Sequence, residues 1–284
     1  MNFTFFTLGG LQFWEDVFFC RKWRIQRNCF SGRCRLLDGW NIRRAAGSYE
    51  QCRQAFEKYC KIYQLPPMKK QAVLLLHSWG RSKNELNRLA NSIEKAGFEP
   101  IAVNFASTRR DLKAILKQLD FLLCNLRDVE EISFVGCGVG GVVLRSLLNS
   151  NSGWRQKIRA NRAVQINPPN RGNRLADKIL QYRLGKWILG LLAQQCESEK
   201  ITKMPSFPAE QEFAILTTDN KWLNKLADRL PANWQKFLPK NVDSILPGAK
   251  ENQNVKIDNF NAAANPRIVD ACINFIKIGR FVKL

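Results

Sequence analysis

The chain has 284 residues, of which 45% are hydrophobic, so it can bury a core large enough for one α/β domain with an extension. The 45 Lys and Arg residues against 24 Asp and Glu residues give a formal net charge of +21, which is unusual for an enzyme of small molecules. This charge indicates a generic basic surface, or attraction to an anionic membrane or to nucleic acid. Zinc-ligand spacing and an aromatic RNA-binding signature are both absent, so we rank nucleic acid below an anionic membrane.

The cysteine and histidine counts bear on metal binding and on the cellular compartment. No C-x-x-C pair occurs among the nine cysteines, and with one histidine a zinc site would need nearly all of its ligands from sulfur. We therefore expect no metal and no other cofactor. Five of the nine cysteines precede residue 61, which would suit a disulfide framework in an exporting cell. Reduced, mostly buried thiols in a cytoplasmic protein are the simpler interpretation.

Residues 1–19 are aromatic and apolar but contain Gly9, Gly10, Glu15 and Asp16. This stretch lacks a basic amino-terminal region and a small-residue cleavage site, and it is too short and polar to span a bilayer. We predict neither a signal peptide nor a transmembrane segment. We expect the aromatic cluster to dock on the core, with peripheral contact to a membrane as the alternative.

The following segment is predicted to complete an N-terminal extension. Residues 21–38 alternate charged with apolar side chains around a Ser31-Gly32 turn, which indicates a β-hairpin. Residues 41–63 are predicted to form a basic helix that a Pro-Pro linker ends. We assign residues 1–68 to the extension and residues 69–284 to the main domain.

From residue 71 onward, strand-like and helix-like segments alternate along the chain. The predicted strands are residues 72–76, 100–103, 132–135, 163–166, 213–216 and 255–257, and the predicted helices are residues 83–96, 109–126, 139–148 and 266–278. This alternation predicts an α/β fold, with a mostly parallel central sheet that helices cover on both faces.

Glycine is densest in residues 131–149, EISFVGCGVGGVVLRSLLN, whose pattern is typical of a strand, a tight turn and a helix. Gly136, Gly138 and Gly141 satisfy the G-x-G-x-x-G pattern of dinucleotide-binding turns. That interpretation also requires an acidic residue about 20 positions further on, where the next strand ends. The next strand-like run ends in Asn167 and Pro168 instead, and nucleotide binding through residues 136–141 is kept as an alternative.

The same turn fits a nucleophile elbow, G-x-S-x-G, in which a serine sits on a strained strand-to-helix turn. The five positions are Gly136, Cys137, Gly138, Val139 and Gly140. The glycines that make the turn sharp are present, but glycine also occupies the place of the serine. This interpretation predicts an elbow without its nucleophile.

Three further motifs resemble those of α/β-hydrolases of the lipase and esterase kind. They are residues 71–82, QAVLLLHSWGRS, similar to a strand and its oxyanion loop; residues 104–109, NFASTR, similar to the next strand end; and residues 166–177, INPPNRGNRLAD, similar to a later loop. The resemblance runs from about residue 71 to the end and implies the α/β-hydrolase fold. The residues that it places at an oxyanion or ligand site are His77, Ser78, Trp79 and Val139, with the N–H groups of the last two as donors.

The resemblance also implies a catalytic triad in the order Ser, Asp, His. Asp243, in NVDSILPG, matches the acid, and Asn261 aligns with the histidine. The only histidine of the chain is His77, in the oxyanion loop. The sequence thus supplies the carboxylate alone, and loss of the nucleophile or the base costs such a triad about 10⁶ in turnover. We therefore predict a pseudo-hydrolase.

Other groups near the turn are candidates for the missing functions. Cys137 directly precedes the empty nucleophile position, and its thiolate would give an active carboxylic-ester hydrolase. A thiol needs a nearby cation or base to ionise, so the competing interpretation is a small buried residue. Ser78 is a weaker candidate. His77 is interpreted as a hydrogen-bonded structural residue, and Asp243 as either a turn residue or a retained site residue.

Residues 180–210 occupy the position of a lid or cap. An apolar face there either covers a pocket or packs as an ordinary core helix; its members are Trp187, Ile188, Leu189, Leu191 and Leu192. A surviving pocket would be apolar with a few backbone donors and would suit an acyl chain or another hydrophobic ligand. The sequence identifies no protein partner.

Overall fold

The computed structural model describes residues 11–220, 244–257 and 261–282. Within these ranges the strands form two sheets, a small antiparallel one and a larger parallel one. Residues 1–10 of the aromatic segment and the predicted triad residue Asp243 lie outside the described residues. All nine cysteines lie inside them and are free thiols.

The small sheet is antiparallel and belongs to the N-terminal extension. Its strands adjoin in chain order: β1 (Trp14–Cys20), β2 (Trp23–Asn28), β3 (Cys34–Leu37) and β4 (Arg43–Gly47). The hairpin predicted in residues 21–38 is confirmed as β2 and β3, in which Arg24 lies opposite Leu37. The sequence analysis predicted neither β1 nor β4.

Helix α1 (Tyr49–Ile62) is shorter than the helix predicted over residues 41–63. A capping box fixes its start, because the Ser48 hydroxyl accepts from the Gln51 N–H while the Gln51 side chain accepts from the Ser48 N–H. Residues 43–47 pair with β3 instead. This part of the helix prediction is therefore wrong.

The larger sheet has six strands, all parallel, in the order β10-β9-β8-β7-β5-β6. They are β5 (Gln71–Leu76), β6 (Glu99–Val103), β7 (Glu131–Cys137), β8 (Arg159–Ile166), β9 (Phe213–Asn220) and β10 (Glu251–Ile257). Apolar side chains of β5 alternate between two cores, with Leu74 and Leu76 in one and Val73 and Leu75 in the other. A parallel strand buried on both faces needs such a continuous apolar run.

Helices cover both faces of this sheet. They are α2 (Asn87–Lys95), α3 (Leu112–Cys124), α4 (Val139–Asn149), α5 (Arg174–Leu180), α6 (Arg183–Gln195), α7 (Ser198–Ile201) and α8 (Pro266–Ile278). Apolar residues of α2 and α8 share the core of Val73 and Leu75, whereas α3, α4 and the N-terminal extension share the core of Leu74 and Leu76. The predicted fold class is confirmed, including its N-terminal hairpin and helix.

Buried polar contacts join the extension to the β6 edge of the larger sheet. The Asp16 N–H donates to the Asn104 carbonyl at 2.9 Å, and the Asn104 N–H donates to the Asp16 carboxylate at 2.6 Å. The Gln118 amide donates to the backbone carbonyls of both residues at 2.8 Å. Because buried polar groups must be paired, these contacts fix the small sheet beside the carboxyl end of β6.

Candidate functional site

The glycine turn between β7 and α4 is packed against the end of β5 by its own backbone. A Cβ at Gly136 would lie 2.6 Å from the Gly140 carbonyl oxygen, and one at Gly140 would lie 2.6 Å from the carbonyl oxygens of Leu76 and His77. Glycine at these two positions is therefore a steric requirement. Gly140 belongs to the G-x-S-x-G pattern and not to the G-x-G-x-x-G pattern, so its close contact with the end of β5 favours the elbow over the nucleotide-binding turn.

Gly138 lies at the apex of the turn, with φ of +51° and ψ of −124°. Residues that carry a Cβ rarely adopt this backbone conformation. A Cβ placed on Gly138 would point at Ser78, 3.2 Å from its Oγ and 3.3 Å from its Cβ. The position that would carry a nucleophile thus faces the oxyanion loop.

Ser78 is held there by the carboxylate of Glu85. The Ser78 N–H donates to Glu85 Oε2 at 2.7 Å, and its hydroxyl donates to Oε1 at 3.0 Å. Two hydrogen bonds to one carboxylate fix both the backbone and the side chain of Ser78. Its hydroxyl therefore lies against Gly138 and is bonded to a carboxylate rather than to an imidazole.

Asn261, which the sequence aligns with the catalytic histidine, also contacts Glu85. Its Nδ2 donates to the Glu85 carbonyl at 2.9 Å, and its Oδ1 caps a short 3₁₀ helix by accepting from the Ala263 N–H at 3.1 Å. Glu85 therefore lies between Asn261 and Ser78. A carboxamide has no titratable proton near neutral pH, so Asn261 cannot act as the general base.

His77 is buried, and both of its ring nitrogens are hydrogen-bonded to backbone. Nδ1 lies 2.8 Å from the Ser78 carbonyl and Nε2 accepts from the Phe105 N–H at 3.3 Å, so the network assigns the proton to Nδ1. The ring also stacks on Phe105, with centroids 4.1 Å apart. Burial lowers the pKa of His77 to about 4, although the two backbone bonds oppose the shift. The neutral ring secures the loop and has no free nitrogen for a substrate.

Cys137 is the last residue of β7 and is only 4% exposed. Burial raises the pKa of its thiol well above the usual value, and the nearby Glu85 and Cys272 raise it further. Among the described residues, no cation lowers the pKa of this thiol. The thiol is therefore protonated at physiological pH, which favours the buried-residue interpretation over the displaced nucleophile.

The two predicted oxyanion donors have no hydrogen-bond partner among the described residues. Val139 is the first residue of α4, so its N–H has no partner within the helix. Trp79 lies between Ser78 and Gly80 in the loop after β5. The loop turns at Gly80, whose φ is +68° and whose N–H donates to Ser107 Oγ at 2.9 Å. These two N–H groups are available to an acceptor in a ligand.

The lid region contacts the oxyanion loop and leaves much of its apolar face in solvent. The Trp79 indole donates to the Leu189 carbonyl at 2.9 Å, and Leu192 is buried. Helix α6 is interrupted at Gly190, where a Cβ would lie 1.9 Å from the Thr108 carbonyl oxygen. Large apolar side chains of this region are between 44% and 66% exposed: Tyr182, Leu184, Trp187, Ile188 and Leu191. Neither full core packing nor full coverage of a pocket describes this face.

Glu85 is the site residue that sequence reasoning missed. It lies in the 3₁₀ helix Lys83–Leu86, seven positions after Ser78, at a spacing that belongs to no recognised motif. Its role depends on contacts with Ser78 and with Asn261, which is 176 positions away. Nothing in the sequence signals such a contact.

The structure also bears on metal binding and on membrane insertion. Within the described ranges, no group of three or more His, Cys, Asp or Glu side chains is arranged to hold a metal ion. None of the described helices combines the length and the apolar character that crossing a bilayer requires.

No protein-family model matches the chain, and no curated protein matches its sequence. Among solved structures, a lipase of Bacillus licheniformis in its propeptide form matches with a TM-score of 0.53 and 13% identity over 76% of this chain. The chain spans about half of that lipase, 52% of its length. A metagenomic carboxyl esterase matches with a TM-score of 0.47 and 15% identity, over 66% of this chain and 64% of its own. Polyneuridine aldehyde esterase matches with a TM-score of 0.44 and 16% identity, over 74% and 99%.

Proposed function

Because the chain has the α/β-hydrolase fold of lipases and esterases, we propose that it is a pseudo-hydrolase that binds an acyl or other hydrophobic ligand without cleaving it. The observation that carries this proposal is Gly138 at the apex of the elbow, in the backbone conformation of the turn but with no side chain to react. The backbone of the elbow is thus present, but no nucleophilic side chain is attached at its apex.

The remaining groups do not replace the missing chemistry. Ester hydrolysis by this mechanism needs a hydroxyl that attacks and an imidazole that takes up and returns its proton. Asn261 supplies no base, and both nitrogens of His77 are already bonded to backbone. The Cys137 thiol is buried and protonated. Turnover should therefore be lower than that of an intact triad by about 10⁶.

Ligand binding is supported by two features that do not need a nucleophile. The N–H groups of Trp79 and Val139, which have no partner in the described part of the chain, can bind a carbonyl or carboxylate oxygen. The exposed apolar side chains around Trp187 and Leu191 offer a surface for an acyl chain, beside the exposed cations Arg183 and Lys186. An apolar face bordered by cations also suits peripheral contact with an anionic membrane.

Assays of the purified chain with p-nitrophenyl esters of short and long acyl chains test the loss of catalysis. We expect no turnover above the buffer rate in the wild type, in Cys137→Ala or in Ser78→Ala. Cys52→Ala, which removes another fully buried thiol from α1, is the matched control for the cysteine variant. The contrary outcome is a wild type that turns over esters at rates typical of lipases. If this turnover disappears in Cys137→Ala or Ser78→Ala, but not in Cys52→Ala, the protein is an enzyme with a displaced nucleophile.

Displacement of a fluorescent fatty acid by unlabelled acyl ligands tests the binding role. Trp187→Ala should weaken binding by about tenfold, because a large apolar side chain gains about 1.5–3 kcal/mol when it is buried. Trp40→Ala removes another exposed tryptophan, from the N-terminal extension, and should leave binding unchanged. Absence of saturable binding in the wild type, or equal affinity of the two variants, would contradict the assigned surface.

A further inference from the structure

We propose that this protein binds a phosphoryl group at a second site, the basic cavity between the small N-terminal sheet and the β6 edge of the larger sheet. The cavity has a volume of about 580 Å³. The residues of its lining that matter here are Arg24, Arg35, Arg43, Lys83, Asn84 and Asn104. The inference does not rest on the proposed pseudo-hydrolase function, because none of these residues belongs to the elbow or the oxyanion loop.

A buried guanidinium whose donors are not all hydrogen-bonded lies in the wall of this cavity. Arg24, on β2, is 3% exposed. Its Nη2 donates to the Asn41 side-chain oxygen, and its Nη1, which makes no hydrogen bond to the described residues, forms an ion pair with the Asp16 carboxylate at 3.7 Å. Buried guanidinium groups normally use all of their donors, so Arg24 adds an incompletely satisfied positive charge to the wall of the cavity.

Positive charge exceeds negative charge around the cavity. Arg24, Arg35, Arg43 and Lys83 line it, and Asp16 is the acid that acts on Arg35 and Lys83. The carboxylate of Asp16 already accepts from the Gln26 amide at 2.7 Å and from the Asn104 N–H at 2.6 Å. One largely occupied carboxylate therefore faces four cations, and a bound anion would restore the balance.

The cations on opposite walls affect one another's protonation. Burial, followed by the charge of Arg24, lowers the pKa of Lys83 to about 8, while Asp16 opposes the shift. Burial and the charges of Arg24 and Arg43 lower the pKa of Arg35, again against Asp16. The Lys83 ammonium makes no hydrogen bond within the described part of the chain. Both pKa shifts therefore arise first from burial and then from the neighbouring like charges, which the single carboxylate of Asp16 only partly offsets.

The donors around the cavity are held in place before a ligand arrives. The Arg35 guanidinium donates from Nε and Nη2 to Gln26 Oε1, at 3.0 and 2.7 Å, and lies over the Trp14 ring at 3.8 Å. The Lys83 N–H donates to Asn104 Oδ1 at 2.8 Å, which anchors the lysine to the end of β6. Fixed guanidinium groups together with an ammonium and amides are the donor set that recognises phosphoryl oxygens.

The size of the cavity indicates an organic phosphate rather than a bare ion. Sites for organic ligands have volumes of about 300–1,000 Å³, and this cavity falls inside that range. A second cavity, of about 290 Å³, shares Arg24, Asn41, Lys83 and Asn84 with it and extends it towards Glu94. The phosphoryl group belongs either to a lipid headgroup or to a soluble organic phosphate.

Calorimetric titration of the full chain with inorganic phosphate and with glycerol 3-phosphate tests the site. Lys83→Gln removes the cavity ammonium, and Arg43→Gln removes an exposed guanidinium from β4, so neither change breaks a buried contact. Lys58→Gln, at an exposed position of α1, removes the same single charge elsewhere. We expect saturable binding in the wild type and in Lys58→Gln, and binding weaker by about tenfold in Lys83→Gln and in Arg43→Gln.

Sedimentation with phosphatidic acid vesicles and with phosphatidylcholine vesicles distinguishes the two sources. Binding of phosphatidic acid without binding of glycerol 3-phosphate assigns the site to a lipid headgroup, and the reverse assigns it to a soluble phosphate. A chain of net charge +21 binds anionic vesicles nonspecifically, so the decisive quantity is the difference between Lys83→Gln and Lys58→Gln. The proposal is overturned if no probe binds saturably at millimolar concentration, or if these two variants bind equally.

Discussion

Replacing Gly138 by alanine should lower the free energy of unfolding by about 1–3 kcal/mol, the cost of holding a residue with a Cβ in a rarely populated backbone region. Gly138 has φ of +51° and ψ of −124°, which glycine alone adopts without strain. The new methyl group would also lie 3.3 Å from the Ser78 Cβ and 3.2 Å from its Oγ. Ser78 cannot retreat without disturbing its two hydrogen bonds to Glu85, so we expect a value towards the upper end.

Urea unfolding followed by tryptophan fluorescence measures this change. Gly153→Ala is the matched control, because a Cβ there would make an ordinary contact of 3.4 Å with Cys124 Sγ; we expect an effect within about 0.5 kcal/mol. In a Ser78→Gly background the steric part of the cost should disappear while the backbone part remains. If Gly138→Ala unfolds at the wild-type urea concentration, the turn does not need glycine. If its cost is equal in both backgrounds, Gly138 and Ser78 are not in contact.

Three further predictions follow from the packing and protonation of named residues. Gly140→Ala should destabilise the protein more than Gly138→Ala, because its Cβ would lie 2.6 Å from two backbone oxygens, which cannot rotate away as a side chain does. A smaller loss of unfolding free energy than that of Gly138→Ala in urea would contradict this. The free energy of unfolding should fall by about 3 kcal/mol as the pH drops from 6.5 to 4, because the imidazole of His77 takes up a proton in the unfolded chain while burial keeps it neutral in the folded one. Carboxylates titrate in the same range, so the test is the difference between the wild type and His77→Gln, and an unchanged difference across this range refutes it. The affinity of the basic cavity for sulfate should fall as the pH rises through about 8, because Lys83 must carry its proton to bind the anion. Calorimetry about one pH unit above and below this value should show the fall in the wild type and not in Lys83→Gln. Constant affinity in the wild type would remove Lys83 from the site.

The larger sheet was predictable because its signal is local. Each parallel strand buries both faces, so β5 and β7 stand out as short apolar runs between amphipathic helices. Strand β4, with the sequence RRAAG, has no such pattern and is ordered by its pairing with β3. In the sequence the basic residues of β4 are followed by those of α1. Only the Ser48 capping box marks where the strand ends and the helix begins.

The sequence predicts the glycine turn of the candidate site but not the distant residues that pack against this turn. Residues 131–149 contain the strand, the glycines and the helix in one stretch, whereas the contact between Gly138 and Ser78 joins positions 60 apart. The basic cavity is harder still, because its cations come from β2, β3, β4 and the segment after the oxyanion loop. In the sequence they are a few of 45 basic residues, and the fold alone brings them around one space.

The three turn glycines differ in what prevents a side chain from occupying them, and this difference supports the assignment of Gly138 as the nucleophile position. A Cβ at Gly136 would meet backbone atoms of Gly140 and Gly141 at 2.6 Å, and one at Gly140 would meet those of Leu76 and His77 at the same distance, so no side chain fits at either place. At Gly138 the nearest obstacle is the side chain of Ser78, at 3.2–3.3 Å, which is a tight contact but not an overlap with backbone. The fold therefore excludes a side chain at the flanks of the turn and would hold one at its apex under backbone strain, which is the pattern of an elbow that carries its nucleophile on a strained turn. Backbone packing accounts for the flanking glycines, whereas the glycine at the apex is favoured by its positive φ and its contact with Ser78, and the proposed loss of a nucleophile concerns the apex alone.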